Sequence, residues 1–211
     1  PPPPPPPPPP LFFFTQTPAL ELLSGLVGSE MCIRDRTRRF IAGDETWAHS
    51  LAVVENGIPI AAVIYLPKMD LLYTAEVNKG AFLNGNKISV SQNCELKDAE
   101  ILAKKSILND NIWKSDDPAL FRQRYRPSLA YRLALVAEGR FDAMIALGRS
   151  WEWDICAGHL LVSEAGGSVT NNYGNKIVYN SQFGSSKGII AGNSSIHKSI
   201  INQLKMSVLN L

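Results

Sequence analysis

Asp154 has the residue type and the position best suited to chemistry, because it stands where the chain is expected to enter a helix. A carboxylate there can accept hydrogen bonds from the unpaired N–H groups of the first helical turn, so a simple N-cap is one interpretation. Trp151 and Trp153 make the approach apolar and poor in water, and a helix N-terminus in such surroundings attracts anions and metals. The small residues Ala157 and Gly158 leave room on the next turn. Asp154 is therefore a candidate metal ligand as well as a candidate cap.

This helix cannot supply a complete metal site by itself. Glu164 lies ten positions after Asp154, which is roughly 15 Å along a helix axis, so the two carboxylates cannot share one ion. His159 is five positions after Asp154 and points away from it, since spacings of three or four share a face. We expect His159 to be a partly buried structural histidine. Any metal held by Asp154 needs ligands from other parts of the chain.

The segment that contains Asp154 carries a family resemblance. The residues from Trp153 onwards read W-D-I-C-A-G-H-L-L-V-S-E-A-G-G. This segment resembles the second signature of the inositol monophosphatase family, and the segment at Thr37 and the position of Arg132, described below, place the resemblance closest to the 3'(2'),5'-bisphosphate nucleotidase branch. In that family the aspartate after the tryptophan binds the catalytic Mg²⁺, so the resemblance implies that Asp154 is a metal ligand and that Mg²⁺ is the cofactor.

A second, shorter resemblance begins at Thr37. The residues T-R-R-F-I-A-G resemble the end of the family's first signature and its continuation in the nucleotidase branch. This implies that Thr37 is a catalytic residue that helps to position the attacking water. Asp35 matches a signature aspartate only if Arg36 replaces a glycine, and Cys32 stands where the other aspartate belongs. We interpret the Asp35 match as a coincidence, and the upstream glutamate pair of the family has no counterpart.

Three further positions bear on the substrate. Inositol monophosphatases carry a glutamate seven residues before the W-D aspartate, where this chain has Leu147. The resemblance implies that Ser128 and Arg132 bind substrate, because Arg132 matches a lysine that lies near the second phosphate in the nucleotidase branch. A guanidinium there could bind that phosphate bidentately. A solvated helix face is the other interpretation of Arg132. Together these positions favour a bisphosphate nucleotide over an inositol phosphate.

The activity that the resemblance implies is Mg²⁺-dependent phosphomonoester hydrolysis by a metal-activated water. The substrate would be a small phosphorylated metabolite, either a 3'(2'),5'-bisphosphate nucleotide or an inositol phosphate. The sequence has no G-x-S-x-G motif and no P-loop that would indicate other chemistry. The alternative is a catalytically inactive truncated fragment of such a phosphatase. The expected partner is a small-molecule phosphate ester, and a homodimer is compatible with the resemblance.

Composition limits the other classes of function. With 211 residues and 45% hydrophobic content the chain can bury a sizeable core. A net charge of +2 gives no electrostatic argument for nucleic acid. No apolar stretch approaches the ~20 residues of a membrane span. The odd number of cysteines, 3 in all, does not suggest a disulfide framework and favours a cytoplasmic location.

Residues 1–36 are expected to be non-native or disordered. The first ten residues are all proline, which is typical of an extended polyproline II rod. The later run G-L-V-G-S-E-M-C-I-R-D-R resembles a translated sequencing-adapter read-through. Our hypothesis is that this segment replaces the true N-terminal part, including the family's N-terminal helices. A genuine disordered proline-rich tail is the alternative.

Residues 37–98 are predicted to form the remainder of an N-terminal antiparallel sheet. Alternating and β-branched segments predict strands at 47–54, 58–66, 71–75, 80–83 and 87–90. Asn-Gly pairs at 56–57 and 84–85 predict tight turns between them.

Residues 99–211 are predicted to form a C-terminal α/β region that carries the W-D motif. We expect helices that start near Asp116, Ser128, Asp154 and Ser194, the second ended by Gly139 and the third by Gly166-Gly167. Strands are predicted at 100–106, 141–147, 169–170 and 188–191. The resemblance implies a layered α+β or α/β sandwich of the sugar-phosphatase type.

Overall fold

Tight turns order the first half of the chain into a meander of antiparallel strands. The computed structural model describes residues 21–24, 43–108, 112–114 and 120–205. The strands of the first sheet are β1 (Glu21–Ser24), β2 (His49–Glu55), β3 (Ile58–Leu66), β4 (Leu71–Glu76), β5 (Gly80–Leu83) and β6 (Asn86–Ile88). Each strand pairs with the next in sequence order. Asn56 and Gly57 have φ values of 51° and 79°, which are the left-handed angles that a two-residue hairpin turn requires.

The predicted antiparallel sheet is present, and one of its strands comes from residues 1–36. β1 pairs with β2, so that Ser24 lies opposite Leu51. Four residues of the segment that is predicted to be non-native or disordered thus form an edge strand. The origin of residues 1–36 stays a prediction.

The second half of the chain builds a mixed sheet. Its strands are β7 (Glu100–Leu102), β8 (Arg122–Arg124), β9 (Ala143–Ala146), β11 (Ser168–Thr170) and β13 (Ile189–Gly192), in the order β11-β13-β9-β7-β8. β7 runs parallel to β8 and β9, whereas β13 is antiparallel to both of its neighbours. Two short strands, β10 (Ser150–Trp151) and β12 (Ser185–Ser186), pair separately.

Three α-helices lie within the described part of this half, and residues that favour helix ends mark some of their termini. The helices are α1 (Leu129–Ala137), α2 (Glu152–Glu164) and α3 (Ser194–Gln203). The Ser128 hydroxyl accepts from the backbone N–H of Tyr131 and caps α1, as predicted. Gly139 and Gly166 take φ values of 74° and 89° just past α1 and α2, which ends both helices. No helix within the described ranges is long and apolar enough to cross a membrane.

The layers stack as sheet, helix pair, sheet and helix. α1 and α2 share one hydrophobic cluster with the inner face of the first sheet. β9 separates two clusters, because Met144 faces the α1–α2 side while Ala143 and Ile145 face the side of α3. Both faces of the second sheet are therefore covered, as expected of parallel strands. The layered sandwich that the sequence predicted is confirmed.

Three predicted elements differ in the structure or cannot be compared. The helix start at Asp116 lies outside the described residues, and the chain soon forms the strand β8. The strand predicted at 100–106 ends at Leu102, and a 3-10 turn follows at Lys105–Leu108. α3, which is predicted from the sequence to run from Ser194 to about Leu209, ends at Gln203, and the next residue, Leu204, bridges to Trp113.

Candidate functional site

Helix α2 begins at Glu152, two residues before Asp154. Trp151 is the N-cap residue and makes no side-chain capping bond, so the interpretation of Asp154 as the N-cap is wrong. The helix can start early because the Glu152 N–H donates to the carbonyl oxygen of Gly184 at 3.0 Å. Asp154 lies instead within the first turn, where a negative charge still interacts favourably with the helix dipole.

The two tryptophans form a stacked pair at the start of this helix. The ring centroids of Trp151 and Trp153 are 4.8 Å apart and the planes are inclined by 9°. Both side chains are partly exposed. The apolar approach that the sequence predicted for Asp154 therefore exists, and it is built from one rigid aromatic unit.

Glu152, between the tryptophans, is a buried carboxylate that the sequence reasoning missed as a functional candidate. Its side chain is only 1% exposed. It accepts from the backbone N–H of Asn180 at 2.7 Å, from the N–H of Ser181 at 3.4 Å and from the Ser181 hydroxyl in a short bond. A buried carboxylate needs such donors. The available signal was a glutamate between two aromatic residues, but its partners could not be read from the sequence.

Cys156 and His159 lie on the next turns of α2 and extend the contact that Glu152 makes. His159 Nδ1 lies 2.8 Å from the hydroxyl oxygen of Tyr179, in accord with the predicted structural role. Burial lowers the pKa of His159 to about 4. Burial, with a smaller effect of Glu152, raises the pKa of the Cys156 thiol to about 12. Both side chains are thus neutral near pH 7, and the thiol is a poor nucleophile.

At the far end of the helix, Glu164 ties α2 to the first sheet. Its carboxylate accepts from the backbone N–H of Asn78 at 3.0 Å and of Gly80 at 2.9 Å. Glu164 therefore binds the turn between β4 and β5.

The predicted substrate residues lie at the start of α1. Arg132 is 5% exposed, so its interpretation as part of a solvated helix face is wrong. Its Nη2 donates to the carbonyl oxygen of Pro127 at 3.3 Å, and its guanidinium lies 5.2 Å from the ring centroid of Tyr125. The Ser128 hydroxyl oxygen is used in capping but keeps its O–H as a donor. Substrate binding by Ser128 and Arg132 stays a prediction.

The remaining predicted residues cannot be placed relative to Asp154. Thr37, Asp35 and Cys32 lie outside the described residues. Within the described ranges, no group of three or more His, Cys, Asp or Glu side chains could hold a metal ion. The Asp154 carboxylate is the ligand type that Mg²⁺ prefers, but one carboxylate does not complete an octahedral site. The described residues therefore do not by themselves make up a Mg²⁺ centre.

Comparisons with known proteins agree on one family. The family model described as "Inositol monophosphatase family" matches residues 35–209 of this chain. A fructose-1,6-bisphosphatase/inositol-1-monophosphatase of Aquifex aeolicus is 34% identical over 178 residues, which are 81% of this chain and 64% of that protein. A putative Nus factor SuhB of Neisseria meningitidis is 34% identical over 152 residues, covering 66% of this chain and 56% of that protein.

Solved structures share the fold. The IMPase of Thermotoga maritima superimposes with a TM-score of 0.67 at 32% identity, covering 82% of this chain and 65% of that one. The extragenic suppressor protein SuhB of Bartonella henselae gives a TM-score of 0.66 at 33% identity, with 82% and 65% covered. The chain thus spans somewhat less than two thirds of the length of these relatives.

Proposed function

Because this chain belongs to the inositol monophosphatase family, we propose that it is part of a Mg²⁺-dependent phosphomonoesterase. The observation that carries the proposal is the place of Asp154, in the first turn of α2 beside the stacked tryptophans. The carboxylate supplies the negative charge that a cation needs, and the helix N-terminus suits the phosphoryl group that this cation must meet.

The proposed roles follow the family positions. Asp154 is a ligand of the metal. Mg²⁺, when it is bound, supplies an activated water and neutralises charge on the phosphoryl oxygens. Arg132 would hold a phosphate and Ser128 would donate to the substrate. The buried guanidinium of Arg132 supports this role, since the packing restricts its side chain before a ligand arrives. Thr37 is assigned to positioning the attacking water.

Two substrate classes remain in the proposal. Names of relatives refer to inositol 1-phosphate and fructose 1,6-bisphosphate, which supports a polyol or sugar phosphate. Leu147 in place of the sugar-binding glutamate, together with Arg132, supports a 3'(2'),5'-bisphosphate nucleotide. The proposed setting is the cytoplasm, in keeping with the free thiols of Cys94 and Cys156. A homodimer belongs to the proposal on family grounds alone.

The test is phosphate release with Mg²⁺ from inositol 1-phosphate and from adenosine 3',5'-bisphosphate. Asp154→Asn should lower kcat/KM by at least about 100-fold, because a ligand should cost no less than the partner groups that orient it. Asp98→Asn is the matched control, since Asp98 is 67% exposed and makes only a long ion pair with Arg122. If the wild-type chain releases phosphate and the two variants are equally active, the role of Asp154 is refuted.

The alternative, an inactive truncated fragment, has its own outcome. The chain would then release no phosphate from either ester, whereas a longer version with an intact family N-terminal region would be active and would lose activity on Asp154→Asn. If neither version cleaved a phosphate ester, the proposed activity would be wrong.

A further inference from the structure

Residues 177–186, which we name the strap, connect the first sheet to the N-terminus of α2. The Tyr179 N–H donates to the Gly57 carbonyl oxygen at 2.9 Å, in the turn between β2 and β3. A Cβ on Gly57 would come within 2.6 Å of a Val178 methyl group, so the strap lies directly on this turn. One end of the strap is therefore fixed to the first sheet.

The other end of the strap is held at α2 by the pairing of β12 with β10, which ends at Trp151, and by the buried side chain of Glu152. Glu152, Cys156 and His159 occupy one helix face at spacings of four and three, and this face meets the strap. The strap makes a turn closed by the Gly184 N–H donating to the Ser181 carbonyl oxygen at 3.0 Å. The side chain of Glu152 binds the first residue of this turn and its backbone N–H binds the last.

This arrangement holds a helix end that has no side-chain cap. Helix termini open more readily than helix centres, and Trp151 gives the first turn no capping bond. The Glu152 contacts replace that cap and, because the strap is itself anchored at Gly57, they fix the turn relative to the first sheet. Asp154 lies two positions later, about 200° around the helix, so the anchor and Asp154 occupy different sides of the turn.

We propose that Glu152 is a positioning residue, which holds the first turn of α2 on the strap and thereby fixes the direction of Asp154 and the stacking of Trp151 on Trp153. The part that concerns Asp154 in catalysis rests on the proposed function. The part that concerns the tryptophan pair does not, and it can be measured without any substrate.

The same helix provides the control. Glu164 also accepts two backbone N–H bonds from a neighbouring turn, but it does so at the opposite end of α2. Glu152→Gln and Glu164→Gln each replace one carboxylate oxygen by an NH₂ group that faces donors. Ser181→Ala is a milder variant, because it removes only the hydroxyl donor to Glu152.

The experiment compares these variants by thermal unfolding, circular dichroism and kinetics. Two indoles stacked at 4.8 Å should give an exciton couplet, which Trp151→Phe would assign to this pair. Glu152→Gln should abolish most of the couplet, Ser181→Ala should reduce it, and Glu164→Gln should leave it unchanged. With a phosphate ester and Mg²⁺, kcat should fall about 10–100-fold for Glu152→Gln and stay within about twofold for Glu164→Gln.

Each outcome decides the proposal. If Glu152→Gln and Glu164→Gln lose the same thermal stability while both keep the couplet and kcat, Glu152 is merely structural and the proposal is overturned. If Glu152→Gln does not fold, Ser181→Ala decides through the couplet. If neither the wild-type chain nor a longer version with an intact family N-terminal region cleaves an ester, the proposed function fails, while the couplet still decides whether Glu152 orders the first turn.

Discussion

Burial lowers the pKa of His159 to about 4, and its Nδ1 lies 2.8 Å from the Tyr179 hydroxyl oxygen. In the unfolded chain the ring has an ordinary pKa near 6.5. Between these two values the unfolded state binds the proton and the folded state does not. The contribution of His159 to stability is therefore complete above about pH 6.5 and is lost as the pH falls towards 4.

We predict that His159→Gln flattens the fall in the free energy of unfolding between pH 6.5 and 4. Between pH 6.5 and 4 the free energy of unfolding of wild type should fall by at most about 3 kcal/mol more than that of the variant, since one pKa unit corresponds to about 1.4 kcal/mol. Urea unfolding at several pH values measures it. A smaller slope should persist, because burial also lowers the pKa of His197. Parallel curves for the variant and wild type would contradict the prediction.

Residues near Asp154 differ in how far the sequence could define them. The apolar approach could be predicted because Trp151 and Trp153 lie within three residues of Asp154 in the chain. The buried contacts of Glu152 could not be predicted, because its donor Asn180 is 28 positions away and no local pattern links the two residues. The W-D motif predicts Asp154 as a metal ligand through family resemblance, whereas the role proposed for Glu152 is argued only from the folded contacts.

At the scale of elements, Gly158 sets the distance between α1 and α2. An added Cβ would lie 2.4 Å from both Cβ and Cδ1 of Leu133. We predict that Gly158→Ala destabilises the protein by about 1–3 kcal/mol through overpacking, despite the higher helix propensity of alanine. Denaturant unfolding gives the value.

Gly148→Ala is the control for this prediction, because nothing lies within 4 Å of a Cβ at that position. Its free energy of unfolding should change by less than about 0.5 kcal/mol. Combining Gly158→Ala with Leu133→Ala should recover part of the loss, since the clashing side chain is then shortened. Fully additive losses would show that the clash is not the cause.

Elements with local signals were predicted well and those without were not. Asn56-Gly57 and Asn84-Gly85 readily adopt the left-handed backbone angles of hairpin turns, so the antiparallel meander could be predicted from these pairs. β8 reads R-Q-R and has no apolar alternation. It forms a strand because it pairs in parallel with β7, a tertiary contact that the sequence does not display.

At the scale of the whole molecule, one hydrophobic cluster crosses the division predicted between residues 98 and 99. Ile64 and Tyr73 of the first sheet belong to the same cluster as Leu133 and Leu161 of α1 and α2. Residues 89–99 link the last strand of the first sheet to β7. Asp142 holds this linker, since its carboxylate accepts from the Ser91 hydroxyl at 2.6 Å. Layers that share a core in this way should unfold together.

Asp142 is where this coupling can be tested. Its second carboxylate oxygen accepts from the Glu100 N–H at 2.8 Å and from the Asn93 side chain at 3.2 Å, so three donors depend on one residue. Asp142→Asn turns one acceptor into a donor that faces donors. We predict a loss of about 2–4 kcal/mol in the free energy of unfolding.

The measurement is urea unfolding followed by tryptophan fluorescence and by far-ultraviolet circular dichroism. For wild type the two curves should coincide, because the shared cluster makes the layers cooperative. For Asp142→Asn the midpoint should fall in both. The control Asp98→Asn should shift it little, since exposed ion pairs contribute at most about 1 kcal/mol. Equal midpoints for the two variants would mean that Asp142 does not hold the sheets together, because the shared core alone would then account for their coupling.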